Sequence, residues 1–563
     1  MSVTADGNPR FDDLLAVDPS VSTHMVGVTL RFTDAPEFKS EVEVQNTFDG
    51  GATWSGQLLA SPPGSYALWD PRVAIGPNGT EVYVVAAQVE ALDGAGADSM
   101  GPGSVVVYRS QDSARSWSDP QTIFDNPNFG LADRVEMPRV AVDTSAGQRA
   151  GRIYVVWHHK TESASVPALA WSDDGTTWQP SASADSGFEW TQTGIEDWSG
   201  VTVEVGPDGT VHIASWAADG GSVVYGRSTD GGSTVAWGVL TTATNIGGSW
   251  SVPDVSKENP QLVFAETPTV ALAVGPEGRL AIAWTSAATG EGEPPLQVLV
   301  AQSTDNGVAW ASGQGLAGGS SGLLPLLYEP VGVGSLPKPK GFDLPRSSGD
   351  YYFMPQLAID ANGDLGCLAY HYASEATPPM DAYLWVSVAG GGGAFDLAAP
   401  VLDQAFDPTV SPVEAFNEPY LLFFGNSIGL GAAHGCFFPF WSDTRTGVAQ
   451  LYASQMCVKD VPIPGPVRIE ERISIIVEML PKFVAYAMEQ TGLSQTEVLR
   501  LMFEGKLYVV IPHVGPVPVR EAALAAGQAI GALSDLASGD LRDAMAQLSG
   551  ELIRLGRDDS PVR

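Results

Sequence analysis

The sequence predicts an all-β propeller of four-stranded antiparallel blades, seven in number with six as the alternative, followed by a smaller α-helical domain. Three observations carry this expectation. An apolar–turn–apolar unit recurs seven times, five of the units are followed by a second signature ending in Trp, and the hydrophobic pattern changes after a Pro-rich stretch near residue 461. The unit itself reads as a turn with Pro, an alternating apolar strand, a tight Gly turn and a second apolar strand. DPRVAIGPNGTEVYVVAA opens at Asp70 and MPRVAVDTSAGQRAGRIYVVWHH at Met137. WSGVTVEVGPDGTVHIASW opens at Trp198, TPTVALAVGPEGRLAIAW at Thr267 and MPQLAIDANGDLGCLAYHY at Met354. Looser copies stand at Asn8 (NPRFDDLLAVDP) and Glu418 (EPYLLFFGN). Pro-Asn-Gly, Pro-Asp-Gly and Pro-Glu-Gly are hairpin turns between strands of two-residue period. Copies spaced roughly sixty to ninety residues apart suit radial repetition of small sheets. If the first and last units completed one another, the count would fall to six.

The second signature is Ser/Thr-x-Asp-x-Gly-x-x-Trp. It appears as Thr47–Trp54 and Ser303–Trp310, and as Ser110–Trp117 with Ala114 in place of Gly. Ser172–Trp178 is one residue short and Ser228–Trp237 two residues long. The pattern resembles the Asp-box, or BNR, repeat of the sialidase-like superfamily, over about four-fifths of the chain. The box Asp can accept backbone N–H bonds across its own turn, Gly permits the positive φ that follows, and Trp locks the hairpin onto the apolar layer. The resemblance places these turns on the blade periphery, so Asp49, Asp112, Asp174, Asp230 and Asp305 are read as fold residues rather than catalytic acids.

Composition narrows the function classes. Lys and Arg number 29 against 65 Asp and Glu, a formal charge of −36. Ten of the basic and fourteen of the acidic residues fall from Asp460 onward, which leaves −32 on the β-rich part. Such a field repels phosphate backbones and anionic lipid, so nucleic acid is excluded as a partner. It serves solubility or, alternatively, a cation-binding surface. No apolar run of about 20 residues provides a membrane span. No Sec signal is visible at the start; a location outside the cell or on a particle surface implies another route, or a leader outside this sequence. Cys367, Cys436 and Cys457 form no disulfide framework, and Cys367 and Cys436, in apolar runs, read as buried free thiols.

The sialidase resemblance implies three arginines that hold a substrate carboxylate, an Asp acid/base, and a Tyr nucleophile backed by Glu. A planar guanidinium pairs a carboxylate bidentately, which is why arginine is used. The expected Arg-Ile-Pro motif is absent, and Pro-Arg stands instead at Arg10, Arg72 and Arg139. These three arginines either gather at one mouth as an anion clamp or pair with the abundant acids. Acids also precede the strand turns at Asp70, Glu136, Glu196, Asp197, Glu266 and Glu418. Of these, Glu136, Glu196, Asp197 and Glu266 are the candidate catalytic carboxylates. Two across a mouth could hydrolyse a glycoside or hold a hard cation such as Ca²⁺, and the alternative is pairing with Arg. His158, at the end of a second strand, is a further candidate ligand-binding residue. The His158-His159 pair lacks a third ligand at zinc spacing, so no metal is assigned and no cofactor is required. Asp360-Ala-Asn-Gly-Asp364 reads as a hairpin turn rather than a calcium loop. No phosphate loop or nucleophile elbow is present, and Tyr351-Tyr352 carry no assignable role.

The domain division follows: propeller at 1–459, Pro-rich linker at 460–467, helical domain at 468–563. In the last, RIEERISIIVEMLPKFVAYAMEQTG has helical spacing, Ser494-Gln-Thr-Glu497 is a capping box, and an Ala-rich stretch follows. It reads as a self-association or docking module for a larger assembly, or as a stabilising cap. Two functions follow from the whole. The first is a module that presents its mouth to a glycan or protein ligand. The second is an exo-acting glycoside hydrolase of sialidase type. Fold alone cannot choose between them.

Overall fold

A computed structural model of the chain describes residues 2–35, 37–91, 100–126, 133–161, 164–181, 198–217, 222–242, 263–264, 270–287, 296–310, 314–315, 324–325, 350–373, 380–389, 395, 397–410, 413–415, 418–423, 425–458, 508–511 and 515–518. The chain divides into two compact units, Met1–Val461 and Pro462–Arg563.

The first unit is a seven-bladed β-propeller. The innermost strands of successive blades are Arg10–Val17, Ser65–Ile75, Arg134–Val142, Trp198–Val205, Val270–Val274, Asp350–Ile359 and Gly429–Ala433. Each is followed in sequence order by its antiparallel partners. Every inner strand touches the next around the ring, and the seventh touches the first. Closure comes from the N-terminus: Val3 N donates to Leu451 O at 2.8 Å, Leu451 N to Thr4 Oγ1 at 3.0 Å and Arg10 N to Ala449 O at 3.1 Å. The first and last units therefore do support one another, but as separate blades, which rules out six. The loose copy at Glu418 was misplaced by the sequence reading. Glu418–Phe423 pairs with Val413–Ala415 and, in parallel, with Val263–Phe264, in a small sheet outside the blades.

The alternation seen in sequence is the packing pattern. Apolar residues of each blade interleave with those of the next, as Val201, Val203 and Ile213 do with Tyr154, Val156 and Leu169. Burying such side chains from water is the main favourable term for a fold of this kind.

The turns bearing Ser/Thr-x-Asp share one hydrogen-bond pattern. Thr47 Oγ1 accepts from Gly51 N at 3.0 Å, and Asp49 Oδ1 accepts from Thr53 N at 2.8 Å. The same pair of bonds recurs at Ser110 and Asp112, and at Ser228 and Asp230. These bonds hold the Asp49 and Asp112 carboxyls down at about 2. The turns also join blades. The carbonyl just before the box Gly, or before Ala114, accepts a side chain from the preceding blade: Asn46 to Ser113, Arg109 to Asp174, Arg152 to Gly231 and Arg227 to Asn306, at 2.9–3.2 Å. Two of the tryptophans complete the joint, Trp310 edge-on to Tyr225 at 4.9 Å and Trp54 against Phe440 at 5.6 Å. Gly307 is obligatory here, since its φ is +77° and a Cβ would lie 2.0 Å from Tyr225 Oη. Asp360 likewise fastens a turn, accepting from Asn362 N and Asp364 N at 2.9 Å and from Gly435 N of the seventh blade at 2.6 Å.

Cys436 corrects the expectation of free thiols. It is disulfide-bonded to Cys457 across the register pair Cys436↔Cys457, and Cys367 alone of the three is a buried free thiol. In the second unit the described residues form one antiparallel hairpin, Tyr508–Ile511 with Gly515–Pro518, which the sequence reading did not anticipate. The expected helices, including the capping box at Ser494, lie outside the described residues. No helix among the described residues is long and apolar enough to cross a membrane.

Candidate functional site

The site is built from one irregularity repeated around the ring. In blades 1, 2, 3, 4 and 6 the inner strand carries a β-bulge, two residues opposite one. Its first residue has positive φ: Asp12 (66°), Asp70 (51°), Met137 (51°), Gly200 (59°) and Met354 (52°). Four of the five lack the glycine that such a conformation prefers, so each of those four holds backbone strain at the ring's inner edge. Proline follows at Pro71, Pro138 and Pro355, where the interrupted ladder needs no N–H. The bulge resets the two-residue alternation, and the residue two positions after the strained one faces the central cavity. Leu14, Arg72, Arg139, Thr202 and Gln356 all line it. Gly425, with φ of +85°, stands in the same relation to Ser427 of the seventh blade.

The cavity is about 100 Å³ and lies where the seven inner strands meet. Arg72 and Arg139 bring two guanidiniums to it from adjacent strands. Arg72 is buried, and its Nη1 donates to Pro71 O at 2.7 Å. Arg139 is half-buried, and its Nη1 donates to Pro138 O at 3.2 Å. Neither makes an ion pair among the described residues, so most N–H groups of each are left to the cavity. Burial pulls both below the ordinary arginine range, and for Arg139 the charge of Arg72 acts in the same direction. Guanidinium stays protonated nevertheless, so the shift registers as the cost of desolvating two like charges.

Asp12 and Asp70 partly offset that charge from the bulges. Their carboxylates are engaged elsewhere: Asp12 Oδ1 accepts from Asn426 N at 2.7 Å and Ser427 Oγ at 3.1 Å, and Asp70 Oδ2 accepts from Met137 N at 3.2 Å. Burial raises the Asp70 carboxyl, and the charge of Asp12 raises it further. One register deeper, Glu204 also lines the cavity, and burial pushes its carboxyl up to about 8. Its side chain touches the cavity space, which leaves part of its surface accessible, yet it lies deep in the protein, and depth governs its charge. Glu204 was missed by the sequence reading.

The remaining candidates are scattered. Arg10 resembles Arg72 in sequence, but its bulge comes two residues after it, at Asp12. It is therefore four residues short of the cavity position, which Leu14 holds. It is buried and paired instead, with Nε 2.7 Å from Glu43 Oε2 and Nη1 2.8 Å from Asp6 Oδ1. Arg10 therefore does not gather with Arg72 and Arg139 at one mouth, and of the two alternatives for it the structure shows pairing with acids. Glu136 does not line the cavity and is 2.6 Å from Arg134 Nε, as the pairing alternative expected. His158 is fully buried, with Nε2 3.5 Å from Ser215 Oγ, and burial, aided by the charge of Arg139, holds it down at about 3. Its ring is therefore neutral at physiological pH. Glu196, Asp197 and Glu266 lie outside the described residues. Among the described residues no group of three or more His, Cys, Asp or Glu is placed to hold a metal ion.

No family model matches the chain, and no curated protein matches it. Among solved structures it is similar to a protein of unknown function from Dyadobacter fermentans DSM 18053, at 14% identity over 68% of this chain and 95% of that one, with a TM-score of 0.40. It is also similar to Trypanosoma rangeli sialidase in complex with the inhibitor DANA, at 15% identity over 68% and 55% of the two chains, TM-score 0.39. A third is the Hadza microbial sialidase Hz136, at 16% identity over 67% and 65%, TM-score 0.39. The chain spans about half the length of the T. rangeli chain. The likeness is one of fold.

Proposed function

We propose that the propeller is a ligand-binding module whose central cavity receives an anionic group, such as a carboxylate, carried by a glycan or protein. One observation carries the reading: Arg72 and Arg139 bring two largely unspent guanidiniums to the same cavity from neighbouring strands. A carboxylate between them offsets two desolvated like charges and takes up the fork of N–H donors. Thr202, Gln356, Asn426 and Ser427 add polar groups around the wall, and Leu14, Val73 and Val140 add apolar surface. In this reading the unit after Val461 fastens the propeller to a larger assembly. The test is equilibrium binding of acidic and neutral glycans to the full chain and to an R72M/R139M variant. Binding confined to acidic glycans and lost in the variant supports the reading; equal binding of neutral glycans, or binding that survives in the variant, contradicts it.

Glu204 favours a second reading, glycoside hydrolysis, because a carboxyl held protonated near neutral pH can serve as a general acid. Against it, no tyrosine is among the described residues that line the cavity, so the nucleophile implied by the sialidase resemblance has no counterpart there. Turnover of fluorogenic glycosides, abolished in E204Q, would move the assignment to this second reading.

A further inference from the structure

The inner strands carry a second ring of equivalent positions, two residues beyond the arginine register. Its members are Ala16, Ala74, Ala141, Glu204, Ala273, Ala358 and Gly429. Six blades therefore present no more than a methyl group, and one presents a carboxyl. Two residues along a strand is about 7 Å, so the carboxyl register stands about that far from the guanidinium register along the channel. Of these seven positions Glu204 lines the cavity, whereas Ala16, Ala74, Ala141, Ala273 and Ala358 pack in the apolar layers between blades. Among the described residues Glu204 has no hydrogen-bond partner. Opposite it on the adjacent strand is His212, whose Nδ1 lies 2.6 Å from Tyr225 Oη. Val270 and Leu272 of the adjacent fifth blade line the cavity with it, and Arg139 and Arg72 are the charged groups one register away.

We infer that the cavity is two-ended, and that its ligand carries a cationic ammonium group, read by Glu204, about a strand-pair's length from the anionic group read by Arg72 and Arg139. The inference rests on the arginine reading above and adds the second end. An unpartnered carboxyl in an enclosed space is costly, whereas an ammonium donates three N–H bonds and supplies the counter-charge. The occupant is accordingly a zwitterion, or a side chain or sugar bearing both groups. Because the free carboxyl holds its proton near neutrality and the ammonium-bound form is ionised, binding at the second end releases that proton to solvent.

The test is calorimetry at pH 7 on the full chain with hexanoate and 6-aminohexanoate, which share one carboxylate and differ in the terminal ammonium. The expected result is binding of 6-aminohexanoate about tenfold tighter, the equivalent of one charge-assisted contact, with about one proton released per ligand when buffers of different ionisation heat are compared. In E204Q the ratio falls to about one and the proton release disappears. In E204D, where the carboxylate retreats by one methylene, the preferred ligand shifts to 7-aminoheptanoate. That shift cannot come from a misfolded variant. Equal binding of hexanoate and 6-aminohexanoate to the unaltered chain, or a preference that persists in E204Q, overturns the inference and leaves the arginine reading in place. Failure of both carboxylates to bind overturns the two together.

Discussion

Replacing Glu204 by Gln tests the environment of the cavity without any ligand. The perturbation removes a proton-binding site and keeps the shape. An ordinary glutamate titrates at 4.5, and burial takes Glu204 to about 8. A carboxyl raised on folding contributes its full stability below its unfolded value, and that stability is lost as pH rises towards the folded value. At about 1.4 kcal/mol per pH unit, the interval bounds the whole effect at about 5 kcal/mol. Between pH 5 and pH 8 the unaltered chain should lose about 3–4 kcal/mol relative to E204Q, whose amide does not titrate; contact with cavity water makes this an upper value. Urea unfolding followed by tryptophan fluorescence at pH 5, 6, 7 and 8 reads it directly. Other raised carboxyls, Asp13 and Asp70 among them, are common to both proteins and cancel in the difference. The curves should separate with rising pH, E204Q being the more stable at pH 8. Parallel curves across the range would refute the placement of Glu204 in an enclosed site.

Four further outcomes follow from the same structure. Asp13 is buried, its Oδ1 takes one bond from Thr29 Oγ1 at 2.7 Å, and burial brings it to about 7. D13N should therefore gain stability over the parent as pH rises from 4 to 7 and add little beyond, measured by the same urea series. R152A removes the bond to Gly231 O, the pairing with Asp173 and the stack on Trp171 at 3.9 Å, and should lower unfolding stability by about 1–3 kcal/mol. Loss of the Cys436–Cys457 bond in a double Ser variant opens a link spanning 21 residues, and should cost about 3 kcal/mol in urea. G307A places a methyl group against Tyr225 Oη and should shift the thermal midpoint down, which differential scanning calorimetry would detect; an unchanged midpoint would show that the turn can move.

Blade architecture was legible because radial repetition writes the same pattern seven times, so a single irregular copy does little damage. The seventh copy shows the limit. EPYLLFFGN matched the apolar run of an inner strand, but periodicity carries no pairing information, and the true seventh strand is the Gly-rich Gly429–Ala433. The cavity was half legible. Pro-Arg marked Arg72 and Arg139, which the structure brings to the cavity, and Arg10, which it does not, since the bulge precedes the first two and follows the third. Proline inside a strand was the available sign of the bulges. Glu204 also had a sign in the sequence: aligned on their hairpin turns, the units show Ala at that register in Ala74, Ala141, Ala273 and Ala358. Its burial depends on the neighbouring blades, and no local pattern reports that. The Cys436–Cys457 pairing was likewise hidden, because it follows from the return of Met456–Cys457 onto the second strand of the last blade.

The central claim is that an anionic group sits between Arg72 and Arg139. Crystals of the chain soaked in 3-bromopropionate and measured at the bromine edge test it most directly. The account predicts one anomalous peak in the central cavity, with the carboxylate within hydrogen-bond distance of both guanidiniums, and its loss in crystals of R72M/R139M. A cavity without bromine while peaks stand elsewhere on the propeller, or a cavity peak that survives in the variant, would contradict it.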